Sequence, residues 1–136
     1  MTDRDGSLLI CEQSGQRISK LDASGNSTTV VDSYNGKPLK GPNDIWVHPN
    51  GSMYFTDPRY RYPKGPLPQS GTYVFRIAPD HKSLEPVILD LPKPNGIIGT
   101  EDGRTLYVSN TERRKICKDE INPDGSVSNR SEYHPS

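Results

Sequence analysis

An internal repeat constrains the fold of this chain more than any other feature of its sequence. Two stretches, 42–57 and 94–110, both begin with Pro-Asn-x-Ile and continue through a glycine turn into a second apolar run. Asn43 corresponds to Asn95 at an offset of 52 residues (95 minus 43), and the turn glycine repeats at the same offset. Self-similarity at a period of this size indicates an architecture built from repeated supersecondary units. We therefore expect each stretch to begin one such unit.

Short strands separated by turns fill the rest of the chain. Turn residues recur at the roughly 8–12-residue spacing of all-β domains, and apolar residues alternate with period two rather than with a helical period. An Asp-Gly or Asn-Gly pair begins an apolar strand at Asp5, Asn50 and Asp102. The pair Asn50-Gly51 between apolar runs predicts a type I′ hairpin turn. Four short antiparallel strands in about 45–50 residues are typical of a β-propeller blade.

The predicted fold class is therefore all-β, a β-propeller of which about three four-stranded blades are present. The units cover approximately residues 5–34, 42–91 and 94–134 of one partial domain that spans 1–136. A closed propeller typically needs at least about four blades, so further blades are expected. A complete β-sandwich of about ten short strands is the alternative, and the constant offset of the repeat favours the propeller.

Composition excludes several classes of partner. The 17 basic and 17 acidic residues balance, so no charged patch indicates binding to nucleic acid or to a membrane surface. No apolar run approaches the length of about 20 residues needed to span a membrane, and the N-terminus lacks a secretory pattern. We expect a soluble protein whose compartment, cytoplasmic, periplasmic or secreted, stays open. Cys11 and Cys117 are expected to be buried or half-buried on strands, and a disulfide between them is the alternative.

Asparagine and aspartate side chains stand at the start of the first strand in two units. They are Asn43 and Asp44 in one unit and Asn95 in the next. The innermost strands of neighbouring propeller blades converge on the central axis, so we expect these side chains to approach each other. Amide and carboxylate oxygens suit a hard cation such as Ca²⁺. The alternative is that they only cap turns and strand ends through hydrogen bonds to nearby backbone.

Other residue types give no catalytic motif. The sequence has no Gly-x-Ser-x-Gly elbow, phosphate loop or zinc-ligand spacing. His48 lies just before Asn50-Gly51 and is predicted to be a solvated turn residue. The proline-rich segment 58–70 is long for a compact β domain, which predicts a lid or a binding element.

Several motifs together resemble the gluconolactonase family, which includes relatives of senescence marker protein and luciferin-regenerating enzyme. The resemblance extends over essentially the whole chain. It implies a six-bladed propeller with a divalent metal in its central channel, and hydrolysis of sugar-acid lactones or related esters. The motifs that carry it are Cys11-Glu12, Arg17-Ile18-Ser19-Lys20-Leu21-Asp22, Gly41-Pro42-Asn43-Asp44-Ile45, Gly51-Ser52-Met53-Tyr54-Phe55-Thr56-Asp57-Pro58, Pro94-Asn95-Gly96-Ile97, Asp102-Gly103-Arg104-Thr105-Leu106-Tyr107-Val108-Ser109 and Asn122-Pro123-Asp124-Gly125-Ser126.

The resemblance also implies roles for individual residues. Asn95 matches a direct metal ligand, and Asn43 matches an asparagine that faces the metal directly or through water and helps to hold substrate. Asp44 is expected to support its loop or a second, structural site. The expected ion is Ca²⁺, with Zn²⁺ and Mg²⁺ as alternatives. Arg59 and Tyr60, at the start of loop 59–62, are expected to contact substrate and shape its access.

Two carboxylates of the family's metal site are expected outside this sequence. One is a glutamate of an earlier blade, which Glu12 does not match. The other is the general-base aspartate of a later blade, which Asp124 does not match. Asn110 also stands where the family often has aspartate. The expected activity is metal-assisted hydrolysis of a small lactone or ester by the full-length protein, with the isolated chain inactive and poorly stable. A non-catalytic binding propeller and a phosphotriesterase-like hydrolase on the same scaffold are the alternatives.

Overall fold

The computed structural model describes residues 1–58, 72–111 and 114–134. All regular structure in these ranges is β-strand, so they contain no helix that could cross a membrane. The strands are β1 (Leu8–Glu12), β2 (Arg17–Leu21), β3 (Ser27–Val31), β4 (Ser33–Tyr34), β5 (Lys37–Pro38), β6 (Asp44–Val47), β7 (Met53–Asp57), β8 (Tyr73–Ile77), β9 (Leu84–Ile88), β10 (Pro94–Gly99), β11 (Thr105–Asn110), β12 (Lys115–Ile121) and β13 (Val127–Tyr133).

The strands form antiparallel sheets in chain order. The first sheet is β1-β2-β3, the second is β6-β7-β8-β9 and the third is β10-β11-β12-β13, while β4 and β5 form a separate hairpin. The innermost strand of the third sheet, β10, packs beside β6 and β7 of the second. Sequential meanders that stack in this way are propeller blades rather than the two facing sheets of a sandwich. The predicted all-β propeller, with about three blades in this chain, is confirmed.

The second sheet is buried on both of its faces. Successive residues of a strand point to opposite sides, so Met53 and Phe55 of β7 pack toward the first sheet while Tyr54 between them packs toward the third. All three side chains have an exposed fraction of 0%. On β6, Ile45 and Trp46 divide between the two sides in the same way. Burial on both faces explains why these strands are continuous apolar runs rather than alternating ones.

Two apolar clusters result, one on each side of the second sheet. They account for the buried hydrophobic side chains of the described residues. The cluster toward the first sheet contains Leu9, Ile18, Leu39, Ile45, Met53, Phe55, Phe75 and Ile77. The cluster toward the third sheet contains Trp46, Tyr54, Val74, Ile88, Leu91, Ile97, Leu106, Val108 and Cys117.

The turns between strands repeat one hydrogen-bonding arrangement. The side-chain oxygen of an Asp or Asn accepts a hydrogen bond from the backbone N–H two residues later. This arrangement is an Asx turn. In four of the six turns the intervening residue is glycine with positive φ, and in the other two it is Ala23 and His81, the latter at φ 61°. The pairs are Asp5 with Ser7, Asp22 with Ser24, Asn50 with Ser52, Asp80 with Lys82, Asp102 with Arg104, and Asp124 with Ser126.

The predicted type I′ turn at Asn50-Gly51 is wrong. Gly51 donates to the carbonyl of His48 at 2.9 Å, and positive φ occurs at Gly51 (92°) but not at Asn50. Proline at position 49 favours the type I geometry, because its ring sets φ near −65°. The type I′ turn lies instead at Asn35-Gly36, with φ of 51° and 77°, and joins β4 to β5.

Two segments differ from what their local sequence indicates. The polar composition of segment 34–41 indicates a loop, but the segment contains the second strand of the β4–β5 hairpin. The apolar residues of segment 86–91 indicate a strand over that range, but β9 is Leu84–Ile88 and ends before Leu89, whose side chain is exposed.

Buried polar side chains at the end of the second strand of a sheet hold the loop that leads into the innermost strand of the same sheet. Asp57, the last residue of β7, has an exposed fraction of 0% and accepts the N–H groups of Lys40 and Gly41 at 3.0 and 2.8 Å. Asn110, at the end of β11, accepts the N–H of Lys93 at 3.2 Å. Burial raises the pKa of Asp57 to about 6, and the two amide donors act in the opposite direction.

We predict that Gly99→Ala destabilises the contact between the second and third sheets. A Cβ at residue 99 would overlap the indole ring of Trp46, which is buried and cannot withdraw into solvent. Overpacking of this kind costs about 1–3 kcal/mol of unfolding free energy. Urea unfolding followed by circular dichroism measures it. Gly15→Ala is the control, and Gly99→Ala combined with Trp46→Leu should recover part of the loss. Equal stability of the two single variants would contradict the prediction.

We predict that Asp57→Asn removes a pH dependence of stability. Below about pH 4 the carboxyl group is protonated in both folded and unfolded chains. As pH rises from about 4 to 6 the unfolded chain loses this proton first, so stability falls, by about 3 kcal/mol for a shift of this size. The stability of the variant relative to the unaltered chain should therefore rise across this interval. Urea unfolding at several pH values tests it, and a constant difference would contradict it.

Candidate functional site

The two asparagines of the repeat meet in space. Asn43 directly precedes β6 and Asn95 lies in β10, the innermost strands of neighbouring sheets. The side-chain nitrogen Nδ2 of Asn43 donates a hydrogen bond to Oδ1 of Asn95. Both residues are half-buried. Equivalent positions of two units thus converge, as expected for propeller strands that approach a common axis.

A third amide, which the sequence analysis missed, joins this pair. Nε2 of Gln13, in the loop that follows β1, donates to Oδ1 of Asn43 at 2.6 Å. The first sheet contains no Pro-Asn-x-Ile segment, so the repeat gave no reason to select Gln13. Alignment of Gly6 with Gly51 would have indicated it, because Glu12, the last residue of β1, then corresponds to Asp57, the last residue of β7. Gln13 directly follows Glu12 and is therefore expected at the same end of its sheet as Asp57.

Asp44 joins the second sheet to the third. Its Oδ1 accepts the N–H of Ile45 and its Oδ2 accepts the N–H of Ile97, each at 2.9 Å. Its own N–H donates to Oγ1 of Thr56 at 3.2 Å. Since both carboxylate oxygens bind backbone, Asp44 stabilises the position of β10 beside β6. The role expected for Asp44, support of its loop or of a second, structural site, stays a prediction.

Hydroxyl groups at corresponding positions of two sheets hold the backbone around Asn95. Oγ1 of Thr56 donates to the carbonyl of Asn95 at 2.6 Å, and Oγ of Ser109 accepts the N–H of Gly96 at 2.8 Å. Asn95 is therefore held from the second sheet and its neighbour Gly96 from the third. Hydrogen bonds from two sheets thus position the backbone at the candidate site.

The two cysteines are free, with Cys11 half-buried and Cys117 buried, as predicted. Burial raises the pKa of Cys11 to about 12, and the negative charge of Asp44 adds to this effect. Burial also raises the pKa of Cys117. Both therefore remain protonated thiols near neutral pH, which excludes them as nucleophiles.

The donor set fits a hard cation in type but does not complete a site. In the described parts of the chain, no group of three or more His, Cys, Asp or Glu side chains lies close enough to hold a metal ion. Asn43 and Asn95 supply two neutral amide oxygens, the ligand type that Ca²⁺ and Mg²⁺ accept. A divalent ion would also need carboxylates to balance its charge. Asp44 has both carboxylate oxygens bonded to backbone N–H groups, so these carboxylates would have to be other residues.

The remaining candidates lie away from this pair. Glu12 pairs with Arg17, its Oε2 2.6 Å from Nε, and Asp124 closes an outer turn by accepting the N–H of Ser126. His48 is not the solvated turn residue predicted: its Nε2 lies 2.9 Å from the carbonyl oxygen of Gly103 in the third sheet. Arg59 and Tyr60 lie outside the described residues.

The family model for the SMP-30/Gluconolactonase/LRE-like region matches residues 1–135. Among known proteins, the gluconolactonase of Zymomonas mobilis is 34% identical over 116 residues, which cover 80% of this chain and 32% of that protein. Lactonase drp35 of Staphylococcus saprophyticus is 29% identical, over 90% of this chain and 37% of that protein.

The solved structures agree with these relatives. A gluconolactonase from Xanthomonas campestris superimposes with a TM-score of 0.89 at 31% identity, over 99% of this chain and 47% of that one. The chain thus spans about a third of the curated relatives and just under half of this structural neighbour. With the family model matched over nearly its whole length, the chain belongs to the SMP-30/gluconolactonase/LRE-like family.

Proposed function

We propose that the full-length protein hydrolyses a small lactone or related ester with the help of a divalent cation, most simply Ca²⁺. The contact between Asn43 and Asn95 carries this proposal, because it brings equivalent amides of two blades together at one end of the innermost strands. The relatives named gluconolactonase and lactonase support the substrate class.

The proposed roles follow from the positions of the side chains. Asn43 and Asn95 would hold the cation, directly or through water. A bound cation supplies polarisation of the lactone carbonyl and stabilises negative charge on its oxygen. Nδ2 of Asn43 is a donor that can orient an oxygen of the substrate. Asp44, Thr56 and Ser109 keep these amides in place through backbone hydrogen bonds.

General-base chemistry is assigned to a residue outside this chain. At the described site both oxygens of Asp44 accept backbone N–H groups, and the two thiols are protonated near neutral pH. Amide side chains do not take up protons near neutral pH. We therefore propose that the isolated chain holds and orients ligands but does not turn over substrate.

A substrate panel tests the proposed activity. At its full natural length the protein should hydrolyse sugar-acid lactones in the presence of Ca²⁺, lose this activity after chelation and regain it when Ca²⁺ returns. The isolated chain should show none. Release of acid from gluconolactone and release of phenolate from an aryl phosphotriester are measured side by side. Preference for the phosphotriester, or lactone hydrolysis that survives chelation, would contradict the proposal.

Removal of one amide tests the cation site. We expect Asn95→Ala to weaken Ca²⁺ binding by the full-length protein by at least about tenfold, because it removes an oxygen donor from the site. Isothermal titration calorimetry measures the affinity without substrate. Asn26→Ala is the control, since Asn26 is exposed in the turn between β2 and β3. Equal affinities for the two variants would remove Asn95 from the site.

A further inference from the structure

Six times in this sequence an Asn or Asp is followed directly by glycine, a pairing that is chemically labile. The backbone nitrogen of the glycine can attack the side-chain carbonyl carbon of the residue before it, because no Cβ shields the nitrogen and the glycine backbone bends easily. Asparagine reacts more readily than aspartate, whose ionised carboxylate resists a nucleophile. The pairs are Asp5-Gly6, Asn35-Gly36, Asn50-Gly51, Asn95-Gly96, Asp102-Gly103 and Asp124-Gly125.

Hydrogen bonds hold both reacting groups in five of these pairs. The nitrogen of Gly96 donates to Oγ of Ser109 at 2.8 Å, and the side chain of Asn95 accepts from Asn43. In the other four pairs the glycine donates to the carbonyl oxygen three residues earlier, and the Asp or Asn side chain accepts the N–H two residues later. The glycines of these four pairs are Gly6, Gly51, Gly103 and Gly125, with N–O distances of 2.9 to 3.0 Å. Attack in any of the five would first have to break these bonds.

The pair Asn35-Gly36 has neither restraint. Within the described residues, neither the N–H of Gly36 nor the side chain of Asn35 makes a hydrogen bond. Both residues are exposed, and a Cβ added to Gly36 would meet no other atom within 4 Å. Water and hydroxide therefore reach the pair, and no neighbouring group blocks the approach of the nitrogen to the side-chain carbon.

The turn that contains this pair can open without disturbing the larger sheets. Strands β4 and β5 contribute two residues each, with Ser33 opposite Pro38 and Tyr34 opposite Lys37. A hairpin of this size is marginally stable by itself, so its tip samples open conformations. Opening allows Asn35, which lies at φ 51° in the closed turn, to rotate until its side-chain carbon meets the glycine nitrogen.

We propose that Asn35 is a site of spontaneous deamidation, the one that the structure selects among the six pairs. The nitrogen of Gly36 gives up its proton to hydroxide and bonds to Cγ of Asn35. The bond from Cγ to Nδ2 breaks, and Nδ2 takes a proton from water and leaves as ammonia, so that a cyclic succinimide remains. Water then opens the ring. Cleavage of the ring bond to Cγ gives aspartate, and cleavage of the bond to the backbone carbonyl gives isoaspartate, whose main chain runs through the side chain.

The isoaspartate product cannot keep this turn. A type I′ turn needs φ > 0 at both central residues, which Asn and Asp tolerate, but isoaspartate adds a methylene group to the main chain. The ring of Tyr34, just before the pair, packs edge-on against Phe75 with centroids 5.3 Å apart. Leu39, which follows β5, is fully buried in the same apolar cluster. A displaced turn therefore loosens the packing between the first and second sheets.

Peptide mapping of the aged protein tests the assignment. The protein at its full natural length is kept at mildly alkaline pH, and mass spectrometry follows the conversion of each asparagine. We expect Asn35 to convert at least about fivefold faster than Asn50 or Asn95, the factor that one intact hydrogen bond supplies. In urea, where the turns are lost, the three rates should become similar. Asn26, exposed and followed by serine, is the control for exposure without glycine and should convert more slowly than Asn35.

Two variants at residue 35 separate the change in the main chain from the added charge. Asn35→Asp carries the charge of the product on a normal main chain, and Asn35→Gln would need a larger, less favourable ring. Ageing should lower the urea midpoint of the unaltered protein and leave that of Asn35→Gln at its own fresh value. Freshly prepared Asn35→Asp should unfold at the same urea concentration as the fresh unaltered protein, because Asp also suits the turn.

The outcomes are distinct. Faster conversion at Asn35 in the folded protein, similar rates in urea and a loss of stability confined to aged chains with Asn35 support the proposal. Equal or slower conversion at Asn35 in the folded protein overturns it, as does the same ranking of rates in urea. An unchanged midpoint after ageing, or an equal loss in fresh Asn35→Asp, overturns the effect on the turn. These measurements use neither a lactone nor a cation, so their result does not depend on the proposed function.

Discussion

The burial of both faces of the second sheet is the constraint on which the rest of the structure depends. A sheet that is packed on one face only can carry polar side chains on its other face, but the second sheet has a neighbouring sheet on each side. Tyr54, packed toward the third sheet, and Phe55, packed toward the first, show the consequence within two residues of one strand. Apolar burial at about 25 cal/mol per Å² makes these two interfaces the principal source of stability.

Polar groups convert this apolar packing into a defined register. Asp44 accepts the N–H of Ile97, and Thr56 donates to the carbonyl of Asn95, so the innermost strands of two sheets cannot slide past one another without breaking both bonds. At the other end of these strands, the ring of His48 meets the carbonyl of Gly103. Apolar contacts alone would allow small displacements, whereas hydrogen bonds at both ends of the strands restrict them because these bonds need defined distances and angles.

The candidate site is therefore a product of blade packing, and this chain supplies its neutral part. Asn43 and Asn95 can hold or orient a ligand, whereas the proposed divalent ion and proton transfer would require carboxylates as well. Such a division follows from propeller geometry, because each blade contributes only the side chains at the start of its innermost strand. The first sheet also reaches this region, because Gln13, which follows β1, donates a hydrogen bond to Asn43.

The sequence by itself determined the fold class, most strand positions and the Asn43–Asn95 pair, because period-two alternation, Asx turns and a fixed repeat are local properties of the chain. The pair Asn50-Gly51 resembles a type I′ turn locally, but Pro49 before it favours type I geometry, and the type I′ turn lies at Asn35-Gly36. Only the tertiary structure decided the contacts of Gln13, His48 and Asp57. Their partners lie 16 to 55 residues away in sequence, and no local pattern encodes which side chain or backbone group a neighbouring loop or sheet will bring to them.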